Sequence, residues 1–335
     1  MKIFLLGEYR EQFESKIEGL KFNAHPSLSS IQNIVDACKE KNMHCEYFGG
    51  VIDLVKAIDL KQKFDEDTIF INFSDGLEQD YCRLQAPVLL ELLNVKYTGS
   101  SPFPVALMNN KHHTKIAVKN LLLSNLNMPE DFFINRNSVI DKYLFQKLKF
   151  PIIIKPNNDG FSLGITSESI INESVEKAII QIQKLQNEYD EIIVEEYIPG
   201  MDVSVFMLGN KDNILINDVI AYKTNHKLFQ DKEARDIYNK ANKLSQKLDA
   251  RKVLSEDIIL TLQNLSKDIF NGLNARDIAR IDYRITKSGQ VYFLEINSCP
   301  ILSKESDLKI VCEISNISYS DFIELYIKTA YNRYD

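Results

Sequence analysis

Two short stretches toward the C-terminal end of the chain carry the residues best suited to chemistry. Ala279-Arg280-Ile281-Asp282-Tyr283-Arg284-Ile285 and Gln290-Val291-Tyr292-Phe293-Leu294-Glu295-Ile296-Asn297 flank a turn-forming segment, and the pattern predicts an antiparallel hairpin. With Ser288-Gly289 as a two-residue loop, Lys287 faces Gln290. Counting back, Asp282 faces Glu295 and Arg280 faces Asn297, and period-two alternation sends all four to one face. Opposed carboxylates with Cβ atoms about 4.5 to 5.5 Å apart repel each other unless a cation lies between them. Oxygen donors of this kind suit Mg²⁺, which takes one or two protein carboxylates and completes its octahedron with phosphate oxygens. The competing reading is a solvated hairpin face on which Arg280 neutralises one acid. A one-residue slip of register would scatter the set.

Two lysines could bring the phosphates. Lys111 opens a predicted helix, and Lys155 ends the apolar strand Pro151-Ile152-Ile153-Ile154-Lys155-Pro156, just before Asp159-Gly160-Phe161-Ser162-Leu163-Gly164. A strand-end lysine beside a glycine-bearing loop can meet phosphate oxygens as a point charge, and the loop's backbone N–H groups can fold over them. Taken singly, each lysine also fits an ordinary surface position and the loop an ordinary hairpin tip. Glu195-Glu196-Tyr197-Ile198 ends another strand, where backbone groups can read a purine edge, and Asp202 could accept from a ribose hydroxyl. An amphipathic sheet edge is the plain alternative. His112 and His113 are adjacent, so on a helix they point about 100° apart and read as surface residues rather than paired ligands. Cys299 has no histidine partner nearby and reads as packing.

Positioning these groups takes an α/β framework followed by α+β units. Lys2–Leu6 and Thr68–Phe73 read as buried strands, Ile31, Ile34, Val35 and Cys38 as one helix face with Ser29 or Ser30 as N-cap, and Ala86–Leu93 as helix, giving a mostly parallel sheet. Further on, 111–123, 169–185 and 257–273 read as helices, and 191–198, 202–208 and 213–222 as strands, with a polar stretch over 223–250. The composition of the 335 residues, 44% apolar, 10% aromatic and 26% charged, excludes a disordered chain. Forty Lys+Arg against 47 Asp+Glu, with no basic concentration, argues against nucleic acid. No run of 18 apolar residues is present, which argues against a membrane span, and Met1–Gly7 is too short for a signal-peptide core. Five cysteines without a CxxC spacing point to reduced thiols and a cytoplasmic setting.

In this order, the motifs resemble the ATP-grasp superfamily, most closely its D-alanine–D-alanine ligase branch. The resemblance is carried by Tyr97-Thr98-Gly99-Ser100, Lys111 to Lys115, Pro151–Pro156, Glu195–Ile198 with Asp202, Ala279–Asp282, and Leu294–Asn297 with Pro300 and Ser306. It implies an α/β and α+β protein of three domains: an N-terminal α/β domain over 1–105, a central ATP-grasp domain over 106–205, and a C-terminal ATP-grasp domain over 206–335 that carries the metals. The nucleotide would lie between the last two. By the same resemblance, Lys111, Lys155 and Gly160 would contact ATP phosphates, Glu195, Glu196, Tyr197 and Ile198 would bind adenine above Leu294, and Asp202 would take the ribose. Asp282, Glu295 and Asn297 would hold two Mg²⁺ ions, with Mn²⁺ as a substitute. Arg280 would stabilise the tetrahedral intermediate, with Ser162 and Arg235 as further catalytic candidates and Lys223 as the rival of Arg235 at the γ-phosphate.

The implied reaction is ATP-dependent amide-bond formation between small amino-acid-like substrates through an acyl phosphate, in a homodimer. The departures cluster on the substrate side. The family's glycine-glycine-serine-glutamate pattern after the first strand is Gly7-Glu8-Tyr9-Arg10-Glu11 here, its paired loop serines are Phe161-Ser162, its lysine-tyrosine pair is Arg235-Asp236, and its oxyanion glycine is Ile301. These changes favour a substrate other than D-alanine on at least one side. The alternatives are a divergent D-alanine–D-alanine ligase and an ATP-binding regulatory protein that has lost ligation.

Overall fold

The computed structural model describes residues 1–13, 25–77, 81–158, 164–166, 168–224 and 245–334. Alternation along the first strands decides how the N-terminal part is layered. β1 (Lys2–Leu6), β2 (Cys45–Gly49), β3 (Thr68–Asn72) and β4 (Lys96–Tyr97) form a parallel sheet of order β2-β1-β3-β4. Ile3, Leu5, Ile69 and Ile71 face α1 (Leu28–Glu40). Phe4, Leu6 and Phe70 face α2 (Val51–Asp59) and α3 (Gln85–Leu92). Both faces are covered, as a parallel sheet requires. The α1 cap is Ser27, whose hydroxyl accepts from Ser30 N–H at 3.2 Å, rather than Ser29 or Ser30.

After α4 (Pro102–Asn109) and α5 (Lys111–Lys119) comes a second sheet, and α5 is four residues shorter than the sequence pattern suggests. β6 (Asp131–Asn135), β7 (Ile152–Pro156), β8 (Ile170–Ile171) and β9 (Glu191–Glu196) pair antiparallel in the order β6-β9-β7-β8. Ile152, Ile154, Ile192 and Val194 pack against α6 (Val175–Gln186), so Ile153, Lys155 and Glu195 lie on the opposite face. The expected helix over 169–185 begins only at Val175, because the β-branched pair Ile170–Ile171 joins Ile153 and Ile152 as β8.

The third sheet holds β5 (Leu126–Asn127), β10 (Met201–Asn210), β11 (Asn213–Thr224), β12 (Ser245–Asp249), β13 (Asp277–Ile285) and β14 (Val291–Asn297), ordered β12-β11-β10-β13-β14-β5. One face packs on α7 (Glu256–Gly272) through Val203, Val205, Ile281 and Tyr283. On the other, Phe206, Leu208, Ile216 and Ile220 share an apolar cluster with β1, β3, α1, α8 (Asp307–Ser315) and α9 (Tyr319–Tyr331). A division at 205/206 would cut β10, all of which is hydrogen-bonded within the third sheet.

The β13–β14 hairpin corrects the loop and keeps the pairing. Gly289 N–H bonds to Thr286 C=O and Thr286 N–H to Gln290 C=O, both at 3.0 Å, so the loop has three residues, Lys287-Ser288-Gly289, with Gly289 at φ +83°. Tyr283 therefore faces Phe293, one residue out of the expected register, until a bulge at Leu294 restores Asp282 opposite Glu295 and Arg280 opposite Asn297. The two departures cancel at the polar residues. Among the described residues, no helix is long and apolar enough to cross a membrane, and all five cysteines are free.

Candidate functional site

With Ile281 and Tyr283 buried against α7, the alternate residues of β13, Arg280, Asp282 and Arg284, face the cleft toward the second sheet. The bulge lets consecutive Leu294 and Glu295 both remain half-buried while Phe293 and Ile296 enter the core. Asp282 Oδ1 accepts from Ser204 Oγ at 2.6 Å and Arg280 Nε at 2.8 Å, and Oδ2 accepts from Arg280 Nη2 at 2.8 Å. Glu295 Oε2 lies 3.5 Å from Lys111 Nζ. Each opposed carboxylate is thus steadied by a cation, Asp282 from its own strand and Glu295 from α5. Neutralisation by Arg280, the competing expectation, is realised for Asp282, but on a buried face rather than a solvated one.

Arg280 is gripped from a second side, its Nη1 donating to Asp307 Oδ2 at 2.9 Å, while Lys247 Nζ lies 2.8 Å from Asp307 Oδ1. Burial alone would raise the Asp307 carboxyl, but Arg280 and Lys247 outweigh it and hold it below the usual carboxylate range. Both strap residues escaped sequence reasoning: Lys247 sits in the featureless polar stretch, and Asp307 at the N-terminus of α8, where an acid is unremarkable.

Lys111 and Lys155, the lysines expected at the phosphates, each lie beside a glutamate, Glu295 and Glu195 respectively. Lys111 Nζ reaches Asn157 C=O at 3.4 Å, joining the start of α5 to the end of β7. Lys155 Nζ is 2.5 Å from Glu195 Oε1, and Lys115 pairs with the other carboxylate oxygen. Asp131 continues the string, 3.9 Å from Lys115 and 2.5 Å from His112 Nδ1. His112 is therefore a partly buried, hydrogen-bonded neighbour of this ion-pair chain and not the surface residue expected from the sequence. Burial would raise the Glu195 carboxyl, yet the two lysines bring it to about 2. Lys155, which burial alone would lower, is raised by Glu195 and Glu295.

The adenine and ribose candidates are more internally engaged than the motifs imply. Glu195 is spent on its lysines, and Glu196 accepts from Lys149 N–H at 2.8 Å. Glu196 N–H and Tyr197 N–H bond to Glu130 and Pro151 carbonyls at 3.0 and 2.8 Å, and Ile198 C=O accepts from Arg284 at 3.2 Å. Asp202 is buried with Arg284 Nη2 at 2.9 Å, and the same guanidinium lies 5.4 Å from the Tyr197 ring centroid. Lys223 stands on β11 opposite Gln246. Gly160, Ser162 and Arg235 lie outside the described residues, as do Phe161 and Asp236.

Among the described residues, no group of three or more His, Cys, Asp and Glu side chains is arranged to hold a metal. Asp282 and Glu295 offer two carboxylates and Asn297 a carboxamide on one face, an all-oxygen set that fits a hard cation whose remaining positions go to phosphate and water. Cys299, two residues beyond Asn297, lines a neighbouring cavity with Asn72 and Thr98. Burial pushes its thiol up to about 12, so packing rather than nucleophilic chemistry is its role.

Comparison with known proteins extends these features to a family. Residues 126–328 match the family model described as D-ala D-ala ligase C-terminus. The chain is 28% identical over 241 residues to the D-alanine–D-alanine ligase of Aquifex aeolicus, covering 71% of this chain and 75% of that protein. It is 27% identical over 302 residues to that of Petrotoga mobilis, covering 90% and 92%. Among solved structures, the D-alanine–D-alanine ligase from Bacillus anthracis complexed with ATP superposes with a TM-score of 0.73 at 15% identity, covering 98% of this chain and 97% of that one. The VanG D-Ala:D-Ser ligase from Enterococcus faecalis gives 0.73 at 16% identity, covering 98% and 99%. The expected ATP-grasp fold is thereby borne out. With more than half its length under that family model, the chain belongs to the D-ala D-ala ligase C-terminus family.

Proposed function

We propose that the protein is an ATP-dependent carboxylate–amine ligase that joins two small amino-acid-like substrates through an acyl phosphate. The observation that carries this reading is the cleft face on which Asp282, Glu295, Asn297 and Arg280 stand together, closed by Lys111 from α5. A carboxylate oxygen of the first substrate attacks the γ-phosphorus of ATP and ADP leaves. The amine nitrogen of the second then attacks the acyl carbonyl, the C–O bond to phosphate breaks, and the nitrogen sheds a proton as the amide forms. Asp282, Glu295 and Asn297 would hold Mg²⁺, two ions in this reading, which neutralise charge on the transferred phosphoryl group when bound.

Lys111 and Lys155 supply fixed positive charge on the phosphate side, with Lys155 held in place by Glu195. Arg280, clamped by Asp282 and Asp307, cannot swing away as the tetrahedral oxyanion develops, and a preorganised donor of this kind is worth about 3 to 4 kcal/mol. Leu294 would lie under adenine, with Glu196, Tyr197 and Ile198 at its edge, and Asp202 beside the ribose. Gly160, Ser162 and Arg235 remain candidates from the resemblance. A cytoplasmic homodimer with three domains completes the reading, consistent with five reduced thiols.

The relatives are named for D-alanine, and the rewritten substrate side separates this chain from them. The deciding assay measures phosphate release with ATP and Mg²⁺ over a panel of carboxylates and amines, with mass spectrometry of the products. We expect condensation with a substrate other than D-alanine on at least one side. Turnover with D-alanine alone would place the protein among the divergent D-alanine–D-alanine ligases. Binding of ATP with no phosphate release across the panel would leave a regulatory nucleotide-binding protein.

A further inference from the structure

The start of α5 decides where Lys111 stands, and a helix leaves its first N–H groups without acceptors of its own. Two asparagines take them here. Lys111 N–H donates to Asn157 C=O at 3.2 Å, and His112 N–H to Asn157 Oδ1 at 3.0 Å. His113 N–H donates to Asn110 Oδ1 at 2.9 Å. With these donors occupied, the backbone at this end is not an anion site of the usual helix-terminal kind. What the helix end offers a phosphate is the Lys111 ammonium, 3.4 Å from Asn157 C=O and 3.5 Å from Glu295 Oε2. Asn157 lies two residues beyond Lys155, just past the end of β7, and so joins the two phosphate-side lysines.

A carboxamide serves the helix in only one of its two orientations, since one side of it accepts and the other donates. Glu191, the first residue of β9, makes the choice. Its Oε2 accepts from Asn157 Nδ2 at 2.7 Å and from Asn110 Nδ2 at 3.0 Å. Tyr81 OH lies 3.3 Å from both carboxylate oxygens as a further donor, and itself accepts from Asn110 Nδ2 at 2.6 Å. An ionised carboxylate can only accept. It therefore draws both NH₂ groups toward itself and turns both Oδ1 atoms toward α5. Asn157 is fully buried and Asn110 nearly so, which leaves no water to compensate a flipped amide. A glutamine at 191 would present a donor as well as an acceptor, and the two amides would lose their common direction.

Resting on the reading of Lys111 as a phosphate ligand, we infer that Glu191 is a positioning residue for the nucleotide: through Asn157 and Asn110 it fixes the start of α5, and with it the Lys111 ammonium, on the phosphate side of the cleft.

The test is a double-mutant cycle read by calorimetric binding of ATP with Mg²⁺, and of adenosine, to wild-type protein, E191Q, K111M and E191Q/K111M, with unfolding melts on each. E191Q should weaken ATP binding roughly 10-fold, the lower end of the range for a hydrogen bond to a charged group, and leave adenosine binding unchanged. Once Lys111 is gone, Glu191 has nothing left to position, so the double variant should bind ATP no more weakly than K111M. A merely structural Glu191 would instead give losses that multiply, or an equal loss for ATP and adenosine. Either result in folded protein overturns the assignment, as does an E191Q variant that binds ATP like wild type. If the melts show E191Q unfolded, N157A takes its place in the same cycle, and the same outcomes decide. Wild-type protein that binds no ATP removes the role of Lys111 and this assignment with it. The full binding pattern without phosphate release on any carboxylate would support the assignment and sink only the ligase reading.

Discussion

Replacing Glu195 by Gln removes the one carboxylate that Lys115 and Lys155 share. Its side chain is 3% exposed, that of Lys115 3% and that of Lys155 12%, so solvent cannot take its place. Removing one partner from a buried ionic cluster costs about 3 to 5 kcal/mol. Linkage leads to a similar figure: a carboxyl held at about 2 instead of 4.5 contributes about 3 kcal/mol at neutral pH. Because the folded value lies below the unfolded one, this stabilisation is complete above pH 4.5 and is lost as pH falls toward 2. Urea unfolding followed by far-ultraviolet circular dichroism at a series of pH values should therefore show a wild-type–variant gap that is widest near neutrality and narrows on acidification. In kinetics, E195Q should also raise KM for ATP, since Lys155 loses its anchor. A gap below about 1 kcal/mol, the size of an exposed ion pair, or a gap that stays constant down to pH 2.5, would refute the reasoning.

Three further substitutions probe the hairpin and its neighbours. E295Q should lower phosphate release by about 1000-fold, several kcal/mol of metal-borne charge stabilisation, and its urea midpoint should stay near wild type; a fully active variant would count heavily against the metal assignment. R284M leaves Asp202 buried without its guanidinium and should cost about 3 to 5 kcal/mol, part of which the D202N/R284M double variant should recover in a double-mutant cycle; strict additivity would show that the pair does not couple. Deleting Leu294 takes out the bulged residue and leaves Asp282 opposite Glu295, so metal-dependent turnover should persist with KM for ATP raised roughly 10-fold by the lost apolar contact. Complete loss of turnover in a folded deletion variant would argue that the bulge fixes the register.

The polar square on β13 and β14 was legible in the sequence because alternation is a local property. Asp282 and Arg280 share a face whatever surrounds them, and the three-residue loop misplaced only the residues between itself and Leu294. Short-range patterns also located α7 and the strands around Lys155. They misjudged Ile170–Ile171, where two β-branched residues inside an otherwise helical pattern found a partner strand. What stayed hidden were pairings between distant segments. Lys115 with Glu195, Arg284 with Asp202, and the grip of Asp307 and Lys247 on Arg280 depend on how sheets stack, and no spacing within one element announces them. His112 was misread for the same reason, being an ordinary polar residue until Asp131 arrives beside it.

The apolar cluster joining α1, β1 and β3 to α8, α9 and the far side of the third sheet makes two of the three sheets a single mechanical body. Arg333 strengthens that union, bonding to buried Asp277 and to the carbonyls of Tyr97 and Gly99. The second sheet keeps its own core around α6. We expect it to be the part that moves when nucleotide enters or leaves, with the sheet carrying Asp282 and Glu295 staying still. Amide hydrogen exchange should consequently respond to ATP more strongly in β7 and β9 than in β1 or β10, and the reverse ranking would mean that the anvil, not the hammer, is what moves.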